Sequence, residues 1–458
     1  MPQSLEPQNF AHALEALEGS LAAASAMPRM RVGGVVTAVT PGYYRVSGLS
    51  QFVKLGECVK LIGAGVQSQL GQVVRIDETG ATIKTFEPVV DAGLGTIAWR
   101  QGPVMISPDV SWKGRILNAL GQAIDGAGPL HTGEHSVSTE HEPPSPMKRQ
   151  RVKTPIKTGV RVIDLFTPLC AGQRVGIFAG SGIGKSTLLG MLARSRGFDT
   201  AVIALVGERG REVREFLEDS LAAGRARTIA VVSTGDESPM MRRLAPKTAM
   251  SVAEYFRDLG ESVLLIIDSV TRFAHAAREV ALAAGEPPVA RGYTPSVFSE
   301  LPKLLERAGP GEEGAGSITA IFSVLVDGDD HNEPVADNIR GTLDGHIVLD
   351  RNIADQGRFP AVNIMTSVSR LANQIWSTEE RGLVMKLRAM IARYEDTRDL
   401  RLMGGYHRGA DPDLDRAIEL VPRLFDIMKQ DPEDPVSANA FQEVAQALAA
   451  AEASMTSV

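Results

Sequence analysis

Residues 174–187 read Arg-Val-Gly-Ile-Phe-Ala-Gly-Ser-Gly-Ile-Gly-Lys-Ser-Thr. An apolar run enters a glycine-rich turn, which empties into a stretch of helical character. Ala179 to Thr187 fits the template G-x-x-x-x-G-K-[ST] at every position but the first, where alanine replaces glycine. The parts that would touch phosphate are intact. Gly180, Gly182 and Gly184 let the backbone bend so that N–H groups converge on an anion, with Ser181 and Ile183 between them. A helix N-terminus beyond the turn adds partial positive charge. Lys185 would reach the β- and γ-phosphates, Ser186 would offer a hydroxyl to Mg²⁺, and Thr187 would bond the α-phosphate. The stretch predicts a site for ATP with Mg²⁺.

Outward from this loop, short apolar runs at 174–179, 201–206, 228–233, 263–268 and 317–326 are separated by helical stretches. That alternation predicts a parallel α/β sheet covered on both faces. A phosphate loop of this kind needs a second carboxylate on the magnesium side, at the end of a neighbouring strand. Val-Leu-Leu-Ile-Ile-Asp ends in Asp268 and supplies it. The run Ala-Val-Ile-Ala-Leu-Val is followed by Gly207-Glu-Arg-Gly-Arg-Glu212, at the end of a strand where ligand sites form. Glu208 is the expected general base, with Arg209 and Glu212 tuning the phosphate and the magnesium waters. Charge on a transferring phosphoryl group is often met by an arginine from another subunit. Arg272, Arg291, Arg340, Arg358 and Arg370 are all candidates by spacing.

The flanks differ in character. Residues 1–28 carry Phe10, Leu14, Leu17 and Leu21 at helical spacing, an amphipathic segment. Residues 29–98 hold Val-rich runs at 31–39, 43–46, 58–61, 72–76 and 81–85, which read as a small antiparallel β-barrel. Its aromatics, Tyr43, Tyr44, Phe52 and Phe86, are few for a base-stacking platform. Residues 134–157 read as a solvated linker with a basic cluster at 148–153. An ATPase domain is expected over 99–375 and a helical, charged domain over 376–458. The net charge of −7 excludes a generally basic nucleic-acid binder, and no nucleic-acid partner is expected. Cys58 and Cys170 stand alone, which fits a reducing compartment rather than a disulfide framework. The first basic residue is Arg29, so the chain opens without a basic signal-peptide start. A cytoplasmic protein is expected.

Further stretches carry a family likeness. Pro360-Ala-Val-Asn-Ile-Met-Thr-Ser-Val-Ser369 resembles the signature of F1-type ATPase α/β subunits. Gly207–Glu212, 114–121 with Asp125-Gly126, and 158–164 resemble other motifs of that family. Within it, 178–187 with Ala179, 291–309, 329–351 and 404–420 are most similar to the ATPases of flagellar and type III protein export. The resemblance implies an N-terminal β-barrel, a central RecA-like domain and a C-terminal helical domain. It implies a homohexameric ring that energises export by releasing chaperones and unfolding substrates. Arg370 would be the arginine finger supplied in trans, and Phe359 would face adenine, with Tyr406 as a second candidate for that pocket. Asn363, Ser367 and Ser369 would fix the finger's strand. Implied partners are a stator-like regulator at the N-terminal segment, a coiled-coil stalk protein, export chaperone–substrate complexes and a membrane export gate. The implied place is the cytoplasmic side of the inner membrane, with the flagellum favoured over the injectisome. A rotary synthase subunit, an RNA-translocating hexamer and a silent ring component are the competing readings. The intact Lys185, Glu208 and Asp268 weigh against the last.

Overall fold

The computed structural model describes residues 31–63, 66–326 and 333–456. The amphipathic segment 1–28 lies outside them. The described residues divide into two compact units, 31–85 with 89–102, and 86–88 with 103–456.

The first unit is a closed six-stranded barrel: β1 (Gly33–Val39), β2 (Tyr44–Ser47), β3 (Cys58–Gly63), β4 (Val66–Asp77), β5 (Gly80–Thr85) and β6 (Ile97–Gly102), in the order β1-β2-β5-β4-β3-β6 with β6 closing onto β1. Alternate residues point inward. Val36, Tyr44, Val46, Val59, Leu61, Val73, Ile83 and Ala98 form its core. Tyr44 is thus a packing residue. The sixth strand, Ile97–Gly102, was not legible: Ile-Ala-Trp-Arg-Gln-Gly has too few apolar residues to read as a strand alone. Pairing with both β1 and β3 makes it one.

The second unit is built on a mostly parallel sheet. Its strands are β7 (Ile116–Asn118), β8 (Arg174–Ala179), β9 (Thr200–Val206), β10 (Thr228–Ser233), β11 (Ser262–Asp268), β12 (Ser317–Leu325), β13 (Gly345–Val348) and β14 (Val368–Ser369). Their order is β14-β13-β8-β12-β11-β9-β10-β7, antiparallel only between β13 and β14 and at a short pairing of Gly309–Pro310 with β12. β9 and β10 are buried along their whole length, as a sheet covered on both faces requires. β8 and β11 are not neighbours: β12 lies between them. The expectation that Asp268 sits on a strand next to the phosphate-loop strand is therefore corrected. The two strand ends still meet at one edge, because all three strands run parallel.

Helix α1 (Lys185–Ala193) follows β8, α2 (Pro239–Asp258) follows β10, and α3 (Val270–Ala283) follows β11. α4 (Pro295–Glu306) leads toward β12. At the C-terminal end, α5 (Thr378–Asp396) opens with a capping box between Ser377 and Glu380. Its stripe Val384, Leu387 and Ile391 shares a core with Ala417, Val421, Leu424 and Met428 of α6 (Pro412–Met428). α7 (Ala440–Thr456) follows. These helices fall in the second unit, and their buried residues are continuous with the core of the sheet.

The segment 134–157 is exposed over most of its length, as a solvated linker should be, but it is tied down at several points. Arg149 donates to the carbonyls of Pro144 and Ala308 at 3.1 and 3.2 Å, and Gln150 donates to the Glu312 carbonyl at 2.7 Å. Glu140 pairs with Lys247 of α2 at 2.5 Å.

Candidate active site

The glycine turn is shaped by its backbone. Gly182 and Gly184 adopt φ of 77° and 85°, in the left-handed region that side chains disfavour, and Gly184 caps the N-terminus of α1. Between them Ile183 is buried in the core, so it anchors the turn from below and acts through its backbone. Ala179, at the first motif position, is 1% exposed and packs in the same core. Its methyl group is accommodated by packing, which is why the strict template can fail there without disturbing the turn. Ser181, Gly182, Ser186 and Thr187 remain open to solvent.

A cavity of about 420 Å³ opens above the turn. It is lined by the turn itself, by Lys185, Ser186 and Thr187, and by Glu208, Arg209, Glu212 and Arg272. Lys185 is the centre of its electrostatics. Its ammonium forms an ion pair with Asp268 and lies 3.7 Å from Glu208. Asp268 is only 3% exposed. Burial raises the pKa of Glu208 above the ordinary carboxylate range, Asp268 adds to the rise, and Lys185 opposes it. Arg209 and Glu212 are exposed at the rim and pair with each other at 3.1 Å. The sequence therefore brings Lys185, Ser186, Thr187, Glu208, Arg209 and Glu212 to one cavity, with Asp268 directly beneath the lysine.

Phe359 reaches the same place by another route. Its ring lies about 3.4 Å from where a Cβ on Gly184 would be. Tyr406 does not reach it. Its hydroxyl donates to Asp415 at 2.7 Å and to the Asp411 carbonyl at 3.1 Å, at the start of α6, and it does not line the cavity.

The five candidate fingers separate. Arg272 lines the cavity of its own chain, its side chain packing against the position of Gly207. Arg340 stacks over Phe178 and Arg358 over Phe425, at 4.8 and 3.9 Å. Arg291 takes φ of 45°. Arg370 stands outside the cavity, exposed, just beyond β14. The strand before it is firmly tied. Ser367 Oγ donates to the Asn363 carbonyl at 2.6 Å and accepts from Val348 N–H at 3.0 Å. Ser369 Oγ donates to the Pro168 carbonyl at 2.9 Å, and Arg370 N–H donates to the Asp344 carbonyl at 2.9 Å.

Two residues in or at the site were missed or misassigned from sequence. Arg272 lies on the first turn of α3, four positions after Asp268, and that spacing could have placed it over the strand ends. Arg351, whose guanidinium donates to the Ser181 carbonyl at 2.9 Å, had no such signal. A larger cavity of about 640 Å³ beside Trp112 and Gly121 has His131 as its single ionisable lining residue and offers no charge to match a phosphate.

A magnesium ion has a fitting place. Among the described residues no cluster of three or more His, Cys, Asp or Glu forms a metal site. Mg²⁺ in nucleotide sites is held by one or two protein oxygens together with phosphates and waters. The exposed Ser186 hydroxyl and buried Asp268 supply such a set.

Comparison with known proteins is consistent with this geometry. Residues 159–369 match the model of the ATP synthase alpha/beta family, nucleotide-binding domain, and 376–450 match the type III secretion EscN ATPase C-terminal domain. A protein named flagellum-specific ATP synthase from Agrobacterium fabrum is 56% identical over 94% of this chain and 91% of its own. A type 3 secretion system ATPase from Xanthomonas euvesicatoria is 42% identical over 88% and 91%. The structure of the assembled ATPase EscN from the enteropathogenic E. coli type III secretion system superposes with a TM-score of 0.84 at 38% identity, covering 91% of this chain and all of that one. A second structure, of EscN in complex with its central stalk EscO, gives 0.82 at 37% identity over 91% of this chain and all of that one.

Proposed function

The chain belongs to the family of flagellum-specific ATP synthases and type III secretion ATPases, and from that premise we propose that this ATPase works as a homohexameric ring with its sites between subunits, energising flagellar protein export. One observation carries the reading. Lys185 and Glu208 line a cavity at the sheet edge with Asp268 paired to Lys185 beneath it, while Arg370 stands outside it on the exposed far side of β13, its backbone tied to Asp344. Each chain thus holds the phosphate-binding half of one site and the finger of another.

ATP would enter with its triphosphate along the turn and draw Lys185 from Asp268 toward the β- and γ-phosphates. Ser186 and Asp268 would hold Mg²⁺, which supplies charge neutralisation on the phosphate oxygens. Glu208 accepts a proton from the attacking water as its oxygen bonds to the γ-phosphorus and the bond to the ADP oxygen breaks. Its raised pKa suits a base that must take that proton near neutral pH. Arg272 in cis and Arg370 in trans meet the charge that develops. Arg209 and Glu212 order the rim, and Phe359 faces adenine. The resulting cycle would move the C-terminal helices, on which a coiled-coil stalk and chaperone–substrate complexes would engage at a membrane export gate. The stator-like regulator would bind the segment 1–28. Among the described residues no helix is long and apolar enough to cross a membrane. The placement proposed is peripheral, on the cytoplasmic side of the inner membrane. The match of 376–450 to the secretion-type C-terminal domain supports export over rotary synthesis.

The test is steady-state ATP hydrolysis by the purified chain. Lys185→Ala should abolish turnover. Arg370→Ala should lower kcat by about 10³ while nucleotide binding to the monomer is kept. Normal turnover in Lys185→Ala would remove the site; normal turnover in Arg370→Ala would remove the shared interface.

A further inference from the structure

The phosphate turn carries three glycines in five residues, 180, 182 and 184. Glycine lets a peptide flip at little cost, so a turn of this composition does not by itself fix which way each N–H points. Something else must hold it. Resting on the nucleotide site proposed above, we infer that Arg351 is a positioning residue of this turn: its guanidinium pins the Ser181 carbonyl, so that the peptide between Ser181 and Gly182 keeps its N–H toward the nucleotide's phosphates.

The argument is geometric. A trans peptide is planar, and its C=O and N–H point to opposite sides. The Ser181 carbonyl and the Gly182 N–H belong to one such plane. Arg351 Nη2 holds the carbonyl at 2.9 Å. The N–H of that peptide is thereby turned away from Arg351, and both residues of the plane line the cavity. The guanidinium is itself well placed. Leu349 N–H donates to the Phe178 carbonyl at 2.9 Å, which ties the start of the segment to β8, the strand that feeds the turn. Asp350 accepts from Asn352 N–H at 2.8 Å and from Asn363 Nδ2 at 2.9 Å, which closes the segment into a braced loop. From the same loop Phe359 packs against Gly184. One segment therefore brackets the turn at Ser181 and at Gly184. A guanidinium suits this role because it is permanently charged, a donor only, and fixed in geometry.

The two phosphates of ADP suffice to meet the anchored N–H, so the effect must appear with ADP as well as ATP. Measured with fluorescent ADP and ATP analogues on the full chain, Arg351→Ala should weaken both about tenfold. KM for ATP should rise by the same factor, with kcat at saturation within about twofold of the parent and the thermal midpoint unchanged. Arg351→Lys, which keeps a charged donor, should recover most of the affinity. Unchanged ADP affinity overturns the inference. A loss confined to ATP also overturns it, making Arg351 a direct γ-phosphate contact, and so does a fall in kcat at constant KM. Failure of the underlying site reads differently: Lys185→Ala would then bind and hydrolyse as the parent does.

Discussion

Single residues carry most of the chemistry, and Glu208 is the one whose environment makes the sharpest prediction. A general base acts deprotonated. Burial and the nearby Asp268 raise its pKa, so the acid limb of kcat should lie above the range of an ordinary glutamate, and activity should fall as pH drops through it. Glu208→Gln should lose catalysis by ~10²-fold or more and lose that limb, measured as kcat against pH under saturating ATP. A variant that keeps the limb would move the base elsewhere. At this scale the sequence was informative where a residue type is demanded by chemistry at fixed spacing. Lys185 and Ser186 follow the glycines, and Asp268 ends an apolar strand. It was uninformative where a residue reaches the site across the fold. Arg351 is 170 positions from Ser181, and nothing in its local pattern marks it. Tyr406 shows the converse, an aromatic of the right type whose hydroxyl is already engaged by Asp411 and Asp415.

At the scale of elements, the central strands were legible because full burial demands unbroken apolar runs. β8, β10 and β11 fall within a residue of their expected ends. The short strands β7, β13 and β14 were not, since two to four residues carry too little pattern and owe their form to pairing. The segment 134–157 is largely exposed, and its few ties were hidden because they are made across the fold. Arg149 reaches the Ala308 carbonyl just past α4, and Glu140 reaches Lys247 of α2. The second tie meets a buried ionic group: Glu300 of α4 lies 2.6 Å from Lys247 and 3.0 Å from Arg243 of α2. Burial would raise the Glu300 pKa, but Arg243 and Lys247 outweigh it and hold it at about 2. A depressed carboxylate contributes stability that is fully present above its unfolded pKa and lost as pH falls through the folded one. The contribution should thus fade between about pH 4.5 and pH 2. Glu300→Gln removes the buried carboxylate that Arg243 and Lys247 share and should cost about 3 kcal/mol in urea unfolding at neutral pH. A cost below about 0.5 kcal/mol would show that the pair is structurally idle.

For the whole molecule, the barrel and the sheet unit have separate cores, whereas the C-terminal helices share one with the sheet. That continuity was hidden in the sequence because α5 and α6 are charged on their outer faces and look self-sufficient. Its effect is mechanical. Gln430, just past α6, accepts from Arg161 N–H at 3.1 Å and donates to the Gly159 carbonyl at 2.9 Å, while its own N–H donates to the carbonyl of Phe359. The end of the helical region is therefore fastened beside the nucleotide turn. Motion of Phe359 with nucleotide would be felt directly by α6.

Arg370 lies outside the cavity that its own chain builds, and in the proposed ring this has a genetic consequence. A chain disabled at Lys185 still lends a sound finger, and a chain disabled at Arg370 still offers a sound cradle. Two inactive proteins, mixed before assembly in equal amounts, should recover activity at about a quarter of their junctions. Either one expressed beside the parent should poison rings it joins, acting as a dominant allele. Mixing that restores nothing would mean that each chain completes its own site.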